Sequence, residues 1–358
     1  MATSLDHYRL LGRSGLRVSP LALGTMTFGA DGGWGSTEDE ARAMVDRFID
    51  GGGNFIDTAN FYGRMGRSEE WLGRIVQGRR HPLVISTKYS LTTRSGDPNA
   101  AGNQRKTMVR AVEDSLRRMQ TDYIDLLYLH MWDFRTPVDE ILRAFDDLVR
   151  SGKVLYIGLS DVPAWQASRM QAIAELRGWT PFCALQIQYS LIERTVEREL
   201  IPMAVEMGMG LSPWAPLGQG ILTGKYTRAD LAEGESLEAG GSRKAINALT
   251  GKLSARNLDV ADAVVEIAGE LGCTAAQVAL AWTLANPATC SPVVGARTLL
   301  QLDDNLGALS LTLDDSHLAR LDAVSAVPKV FPMDVLTGPA EGMMFGGVSV
   351  ERRGARQG

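Results

Sequence analysis

Cysteine is scarce. The 358 residues hold three, Cys183, Cys273 and Cys290, with no CxxC pair, which excludes a disulfide framework and fits reduced thiols in a cytoplasmic compartment. Histidine is almost as rare, at four residues, and no His and Cys stand at metal-ligand spacing, so no metal is expected. A basic excess is also lacking. Lys and Arg number 37 against 42 Asp and Glu, a net charge of −5, so no global attraction to nucleic acid or an anionic membrane is expected. No run of about 20 apolar residues is available to span a bilayer, and MATSLDHYRL lacks the apolar segment of a secretion signal. Finally, no GxGxxG follows an early strand, and Gly51-Gly-Gly53 precedes one. That argues against an open dinucleotide-binding sheet.

Short apolar runs alternating with helical patterns fill the chain instead. Tyr8–Leu11 and Leu16–Ser19 read as two short strands around the turn at Gly12–Gly15. Leu21–Gly24 follows as the first strand of a cycle. The next helix opens at Thr37 with Glu40 three residues on, a capping box, and ends at Gly51-Gly-Gly53. Further strands are predicted at Asn54–Asp57, Leu83–Lys88, Ile124–His130, Val154–Ser160, Leu185–Gln188, Met209–Trp214 and Ser291–Gly295. Predicted helices separate them: Ser68–Gln77, Lys106–Met119, Pro137–Arg150 with Thr136 as cap, Pro163–Leu176, Val196–Met207, and Leu258–Leu271 with Thr274–Ala285. Eight strand–helix cycles imply a parallel sheet with right-handed crossovers, and a (β/α)8 TIM barrel fits them best. The expected organisation is one domain over residues 1–358. Two stretches fall outside the cycle: a polar connection over 225–256, with Gly234-Glu-Ser and Gly240-Gly-Ser242, and a tail over 327–358 expected to pack on the barrel.

Barrel active sites lie at the C-terminal ends of the strands. Three neighbouring strands end in Asp57, Lys88 and His130, and Tyr62 lies in the loop after the first. A carbonyl that accepts a hydride needs a proton at its oxygen. Tyr62 has one to give, although a phenol's ordinary pKa near 10 makes it a weak acid. A nearby Lys88 ammonium is expected to lower that pKa, Asp57 to hold the lysine charged, and His130 to orient the carbonyl. General acid catalysis of this kind contributes roughly 10²–10⁴-fold. Taken singly, Asp57 reads as a turn residue, Lys88 as a solvated strand end, Tyr62 as a surface aromatic and His130 as a core histidine; together they read as chemistry.

The strings Gly53-Asn-Phe-Ile-Asp57-Thr-Ala-Asn-Phe-Tyr62-Gly, Ile85-Ser-Thr-Lys88 and Tyr123-Ile-Asp-Leu-Leu-Tyr-Leu-His130 closely resemble the aldo-keto reductases. The resemblance runs from about Tyr8 to Leu321, in the manner of the longer bacterial and potassium-channel β-subunit branch. It implies a hairpin closing the barrel bottom, the tetrad Asp57, Tyr62, Lys88 and His130, and NADP(H) as cofactor. It implies further that Gly24, Thr25 and Met26 line the cofactor, and that Ser160, Asp161 and Gln188 face its carboxamide. Asp161 stands where the family has Asn; an ionised carboxylate accepts but cannot donate, and a helix N-cap is the other reading of this residue. Trp214 would stack on the nicotinamide or else pack in the core, with Ala215 in place of a common Ser. Leu217, Gly218, Gly220 and Lys225 would lie along the pyrophosphate. Gly295, Arg297, Gln301, Asp304 and Asn305 resemble the adenosine site, with Arg297 placed for a 2′-phosphate or, alternatively, for a surface carboxylate.

The expected activity is NADPH-dependent reduction of an aldehyde or ketone, with Tyr62 as general acid. Trp34, Tyr89, Met131 and Trp132, with Phe331 and Met344 of the tail over the same face, are the expected substrate contacts and point to aryl or hydrophobic carbonyls. A regulatory subunit that holds NADPH with little turnover is the alternative on the same fold. Oligomeric state is open.

Overall fold

Strands made of continuous apolar runs must be covered on both faces, and parallel strands with helical crossovers achieve that cover. A computed structural model describes residues 3–29, 35–231, 243–336 and 339–348. An antiparallel hairpin of β1 (Arg9–Leu10) and β2 (Arg17–Val18) comes first. The eight parallel strands are β3 (Ala22–Gly24), β4 (Phe55–Asp57), β5 (Val84–Tyr89), β6 (Ile124–Leu129), β7 (Val154–Ser160), β8 (Ala184–Gln188), β9 (Gly210–Trp214) and β10 (Val293–Gly295). They pair in the order β10-β3-β4-β5-β6-β7-β8-β9. A bridge from Leu211 in β9 to Thr289, just ahead of β10, brings the two ends together. The result is a (β/α)8 barrel.

The helices are α1 (Glu38–Asp50), α2 (Tyr62–Ile75), α3 (Arg105–Met119), α4 (Val138–Arg150), α5 (Ala164–Arg177), α6 (Leu200–Glu206), α7 (Arg243–Leu249), α8 (Ala255–Leu271), α9 (Ala275–Ala285), α10 (Leu299–Gly307) and α11 (Asp315–Ser325). The capping box at Thr37 and Glu40 forms as its residues require. Two expectations need correction. Pro137, not Thr136, occupies the cap of α4, because the Thr136 hydroxyl donates to Asp133 Oδ2 at 2.6 Å. The helix expected over Val196–Met207 is broken into a short 3-10 turn at Thr195–Glu197 and α6. Pro202 has no N–H to bond backwards, so α6 restarts within one turn of it.

Side chains alternate along each strand, and this sorts the core into two layers. Ala22, Phe55, Val84, Leu126, Tyr128, Ala184 and Cys290 form one cluster with Leu11 and Val18 of the hairpin and its flank. The larger cluster joins the other strand faces, with Leu23, Ile56, Ile85, Leu127, Leu185 and Leu211, to the helices. The inward columns run Phe55 to Asp57, Val84 to Lys88 and Ala184 to Gln188, each ending at the C-terminal edge in a polar side chain.

The chain divides into two units, Met1–Ser325 and Ala326–Gly358. The second contains α12 (Met333–Leu336) and α13 (Pro339–Phe345), and its Phe331, Met343 and Met344 are exposed. Of the 225–256 connection, a 3-10 turn at Arg228–Leu231 and α7 are described. Gly234–Ser236 and Gly240–Ser242 lie outside the described residues. Among the described residues no single helix is long and apolar enough to cross a membrane.

Candidate active site

Inward alternation and strand register together build the site. Asp57 pairs with Ser86, and Lys88 with Tyr128, two residues before His130. Lys88 is fully buried, and its ammonium donates to Asp57 Oδ2 at 2.6 Å and to the Thr58 carbonyl at 2.8 Å. The other Asp57 oxygen accepts from Ser86 Oγ at 2.7 Å and from Gln186 Nε2 at 2.9 Å, across the barrel interior. Burial alone would favour the neutral amine at Lys88. The charge of Asp57 and the bonds to Asp57 and Tyr62 outweigh it, and the lysine pKa rises.

Tyr62 stands over this pair. The Lys88 ammonium lies 4.9 Å from its ring centroid, and the ring meets His130 edge-on at 5.9 Å. Its backbone is set by an unusual stretch: Gly63, Arg64, Met65 and Gly66 all have positive φ, so the regular part of α2 begins after Gly66. Burial raises the Tyr62 pKa, and Lys88 only partly opposes it. The expectation that Lys88 would carry the phenol below its ordinary value is therefore corrected: the hydroxyl holds its proton. His130 goes the other way. Burial first, then the Lys88 charge, lower its pKa to about 3, so the imidazole is neutral at physiological pH. Its backbone N–H donates to the Tyr89 carbonyl at 3.0 Å, and its buried Nδ1 lacks a hydrogen-bond partner among the described residues.

Around the rest of the ring, Gln188 and Trp214 are register partners on β8 and β9. The Trp214 indole N–H donates to Asp161 Oδ1 at 3.1 Å. Gln188 Nε2 is buried without a hydrogen-bond partner among the described residues. After β9 the backbone turns left-handed at Ala215, Gly218, Gln219 and Gly220. A Cβ on Gly220 would come within 2.8 Å of Lys225 Nζ, and one on Gly218 within 2.6 Å of Ile192, so the segment is a close-approach cradle that side chains would fill. Gly24 and Gly295 pair across β3 and β10, and Arg297 is exposed just before the Thr298 cap of α10.

The chain as a whole is similar to known proteins. The aldo/keto reductase family model matches residues 20–326. The chain belongs to the aldo/keto reductase family. It is 39% identical over 345 residues to a norsolorinic acid reductase of Emericella nidulans, covering 93% of this chain and 85% of that one. It is 39% identical over 332 residues to the oxidoreductase YrpG of Bacillus subtilis, covering 90% and 96%. With an aryl-alcohol dehydrogenase of Pestalotiopsis microspora the identity is 37% over 328 residues, covering 89% and 82%. This aldo/keto reductase is thus an oxidoreductase of the class that reduces small-molecule carbonyls with a nicotinamide cofactor.

The reductase barrel brings together Asp57, Tyr62, Lys88 and His130, with Ser160, Asp161, Gln188 and Trp214 along the same edge. It does not bring Tyr89. Because Lys88 points inward, its neighbour must point outward, and Tyr89 is fully buried against Phe145 with its hydroxyl donating to the Asn103 carbonyl at 3.3 Å. The Asp304 carboxylate accepts from Thr274 Oγ1 at 2.9 Å and Gln277 Nε2 at 3.1 Å, tying α10 to the start of α9. Asn305 is buried. Gln301 Oε1 accepts the Arg297 backbone N–H at 2.9 Å. The Thr25 hydroxyl is committed to the Asp57 carbonyl and to Ser68. Met131 is exposed, and Trp132 is buried beside Phe134. Trp34 lies outside the described residues.

Sequence reasoning missed Gln186, Ser86 and Asn103. The first two fix the Asp57 carboxylate. Asn103 donates from Nδ2 to the Met131 carbonyl at 2.8 Å and accepts from the Asp133 N–H at 2.9 Å, which holds the loop after His130. Parity along β5 and β8 would have pointed inward at Ser86 and Gln186; no local signal marks Asn103. Burial pushes the thiols of Cys183 and Cys290 up to about 12.

Proposed function

We propose that this protein is an NADPH-dependent reductase of aryl aldehydes or ketones in which Tyr62 protonates the carbonyl oxygen. The observation that carries the reading is the buried Lys88–Asp57 pair at 2.6 Å beneath a tyrosine that keeps its proton. A bound nicotinamide supplies the hydride. Tyr62 supplies the proton to the oxygen, and the adjacent Lys88 ammonium stabilises the phenolate left behind. Neutral His130 has a ring N–H to offer the same oxygen, as an oxyanion donor fixed before the substrate arrives.

The residues fit the cofactor. Gln188 Nε2 is a buried donor without a partner among the described residues, which suits a carboxamide oxygen. The left-handed run from Ala215 to Gly220 admits a pyrophosphate close to the backbone. Arg297 makes no ion pair among the described residues and stands before a helix N-terminus, where a 2′-phosphate is favoured electrostatically. This supports NADPH over NADH.

The substrate class is supported by the rim. Met26, Phe61, Met65, Met131 and Phe134, on the loops after β3, β4 and β6, are all exposed large apolar side chains. Clustered exposed apolar groups mark a binding surface for an apolar partner, and two relatives are named for norsolorinic acid and for aryl alcohols. The test is NADPH oxidation followed at 340 nm with a panel of aryl aldehydes and ketones. Turnover by the wild type and its loss in Tyr62→Phe, with NADPH binding retained, is the expected result. Turnover that survives Tyr62→Phe would refute the mechanism, and tight NADPH binding without turnover on any carbonyl would favour a regulatory role.

A further inference from the structure

Asp161 follows the last residue of β7 and occupies the left-handed region at φ +47°, which Asp and Asn tolerate better than most residues. Its carbonyl accepts the Trp132 N–H at 3.4 Å, and its Oδ1 accepts the Trp214 indole N–H at 3.1 Å. An asparagine could make both contacts equally well through its own oxygens. What the carboxylate adds is charge.

Charges on the neighbouring strand ends leave that charge uncancelled. Asp57 and Lys88 neutralise each other at 2.6 Å. His130 is uncharged at physiological pH. No cation forms an ion pair with Asp161 among the described residues, although Lys88 acts on it from a greater distance. Burial pushes the Asp161 pKa above the ordinary carboxylate value, and the Trp214 N–H and the Lys88 charge oppose that rise only in part. Asp161 also acts electrostatically on the Tyr62 hydroxyl, so the carboxylate belongs to the same pocket as the tetrad.

We infer that Asp161 makes this pocket distinguish the two redox states of the nicotinamide, holding the oxidised ring more tightly than an uncharged amide in its place would. The inference rests on the cofactor reading proposed above. The oxidised ring carries a positive charge and the reduced ring does not, so a part-buried carboxylate without an ion-pair partner among the described residues stabilises the first selectively. On the enzyme, the balance between bound NADPH with carbonyl and bound NADP+ with alcohol shifts toward the latter.

Calorimetric dissociation constants for NADP+ and NADPH, measured on the whole chain, provide the test. Two variants separate charge from geometry: Asp161→Asn keeps an acceptor for the Trp214 indole, and Asp161→Gly suits the positive φ should the first fail to fold. The ratio of the NADP+ to the NADPH dissociation constant should rise in either variant by on the order of tenfold, the scale of one charge acting in a partly screened site. An unchanged ratio, including equal weakening of both nucleotides, would overturn the inference and reduce Asp161 to a seat for Trp214. Failure of the wild type to bind either nucleotide would overturn the cofactor reading as well, so the two failures are distinguishable.

Discussion

Lys88 and Asp57 meet at 2.6 Å with side chains 0% and 2% exposed, one on β5 and the other on β4. Removing one member of such a pair leaves the other charged and without its counter-ion in the interior, which costs about 3–5 kcal/mol. Asp57 has Ser86 and Gln186 to fall back on, whereas Lys88 would keep the Thr58 carbonyl as its hydrogen-bond acceptor.

Lys88→Met should therefore lower unfolding stability by about 3 kcal/mol and remove most carbonyl reduction. Asp57→Asn should be at least as destabilising. Urea titration with far-UV circular dichroism reads the first effect and steady-state kinetics the second. A Lys88→Met protein with wild-type midpoint would mean that the pair is dispensable to the fold.

His130 predicts a pH dependence of stability. Its folded pKa, about 3, lies below the ordinary value of 6.5 because burial and the Lys88 charge oppose protonation. Between those values the unfolded chain binds the proton and the folded chain does not, so stability falls as pH drops from 6.5 toward 3. At pH 4.5 the loss from this residue is on the order of 2 kcal/mol. In His130→Asn that contribution disappears, and the difference in unfolding free energy between pH 7 and pH 4.5 should shrink accordingly. An identical difference in both proteins would contradict the assignment.

The turn that carries Tyr62 depends on Gly66. Its φ is +111°, and an added Cβ would sit 2.5 Å from Arg118 Nε. That guanidinium is held by fully buried Glu69 at 2.7 Å, which also accepts from Thr87 Oγ1 at 2.5 Å. Gly66→Ala should cost about 2 kcal/mol through backbone strain and the displaced arginine. It should also lower kcat while leaving the NADPH dissociation constant near wild type, because the cradle at Ala215–Gly220 is on the far side of the sheet order. Loss of NADPH affinity with kcat intact would refute this reading.

Periodicity alone placed all eight strands within about two residues, and five of the predicted runs close on a polar residue, Asp57, Lys88, His130, Ser160 or Gln188. Three of the four proposed catalytic residues, Asp57, Lys88 and His130, were legible because an Asp, a Lys or a His closing an apolar run is conspicuous. Tyr89 was misplaced because adjacency along a strand was taken for adjacency in space, although successive side chains face opposite sides. The Thr136 cap was misjudged because Asp133, three residues back, takes its hydroxyl, while the partners of Asp304, Thr274 and Gln277, became its neighbours only on folding. The direction of the Tyr62 shift was missed because a list of nearby charges carries no measure of burial, and burial is the larger effect.

Arg297 supplies the last prediction. It is exposed, its backbone N–H is engaged by Gln301 at 2.9 Å, and its guanidinium precedes α10, whose Thr298 cap accepts from the Gln301 N–H at 3.3 Å. A charge-assisted bond from arginine to a phosphate contributes about 1.5–3 kcal/mol. Arg297→Ala should thus weaken NADPH binding by roughly ten- to a hundredfold and leave NADH, which lacks the 2′-phosphate, nearly unchanged. The loss should diminish with added salt, since the site is open to solvent. Fluorescence titration with both nucleotides at two ionic strengths measures all of this. Equal losses for NADPH and NADH would remove Arg297 from the phosphate site and leave the preference between the cofactors without a residue to explain it.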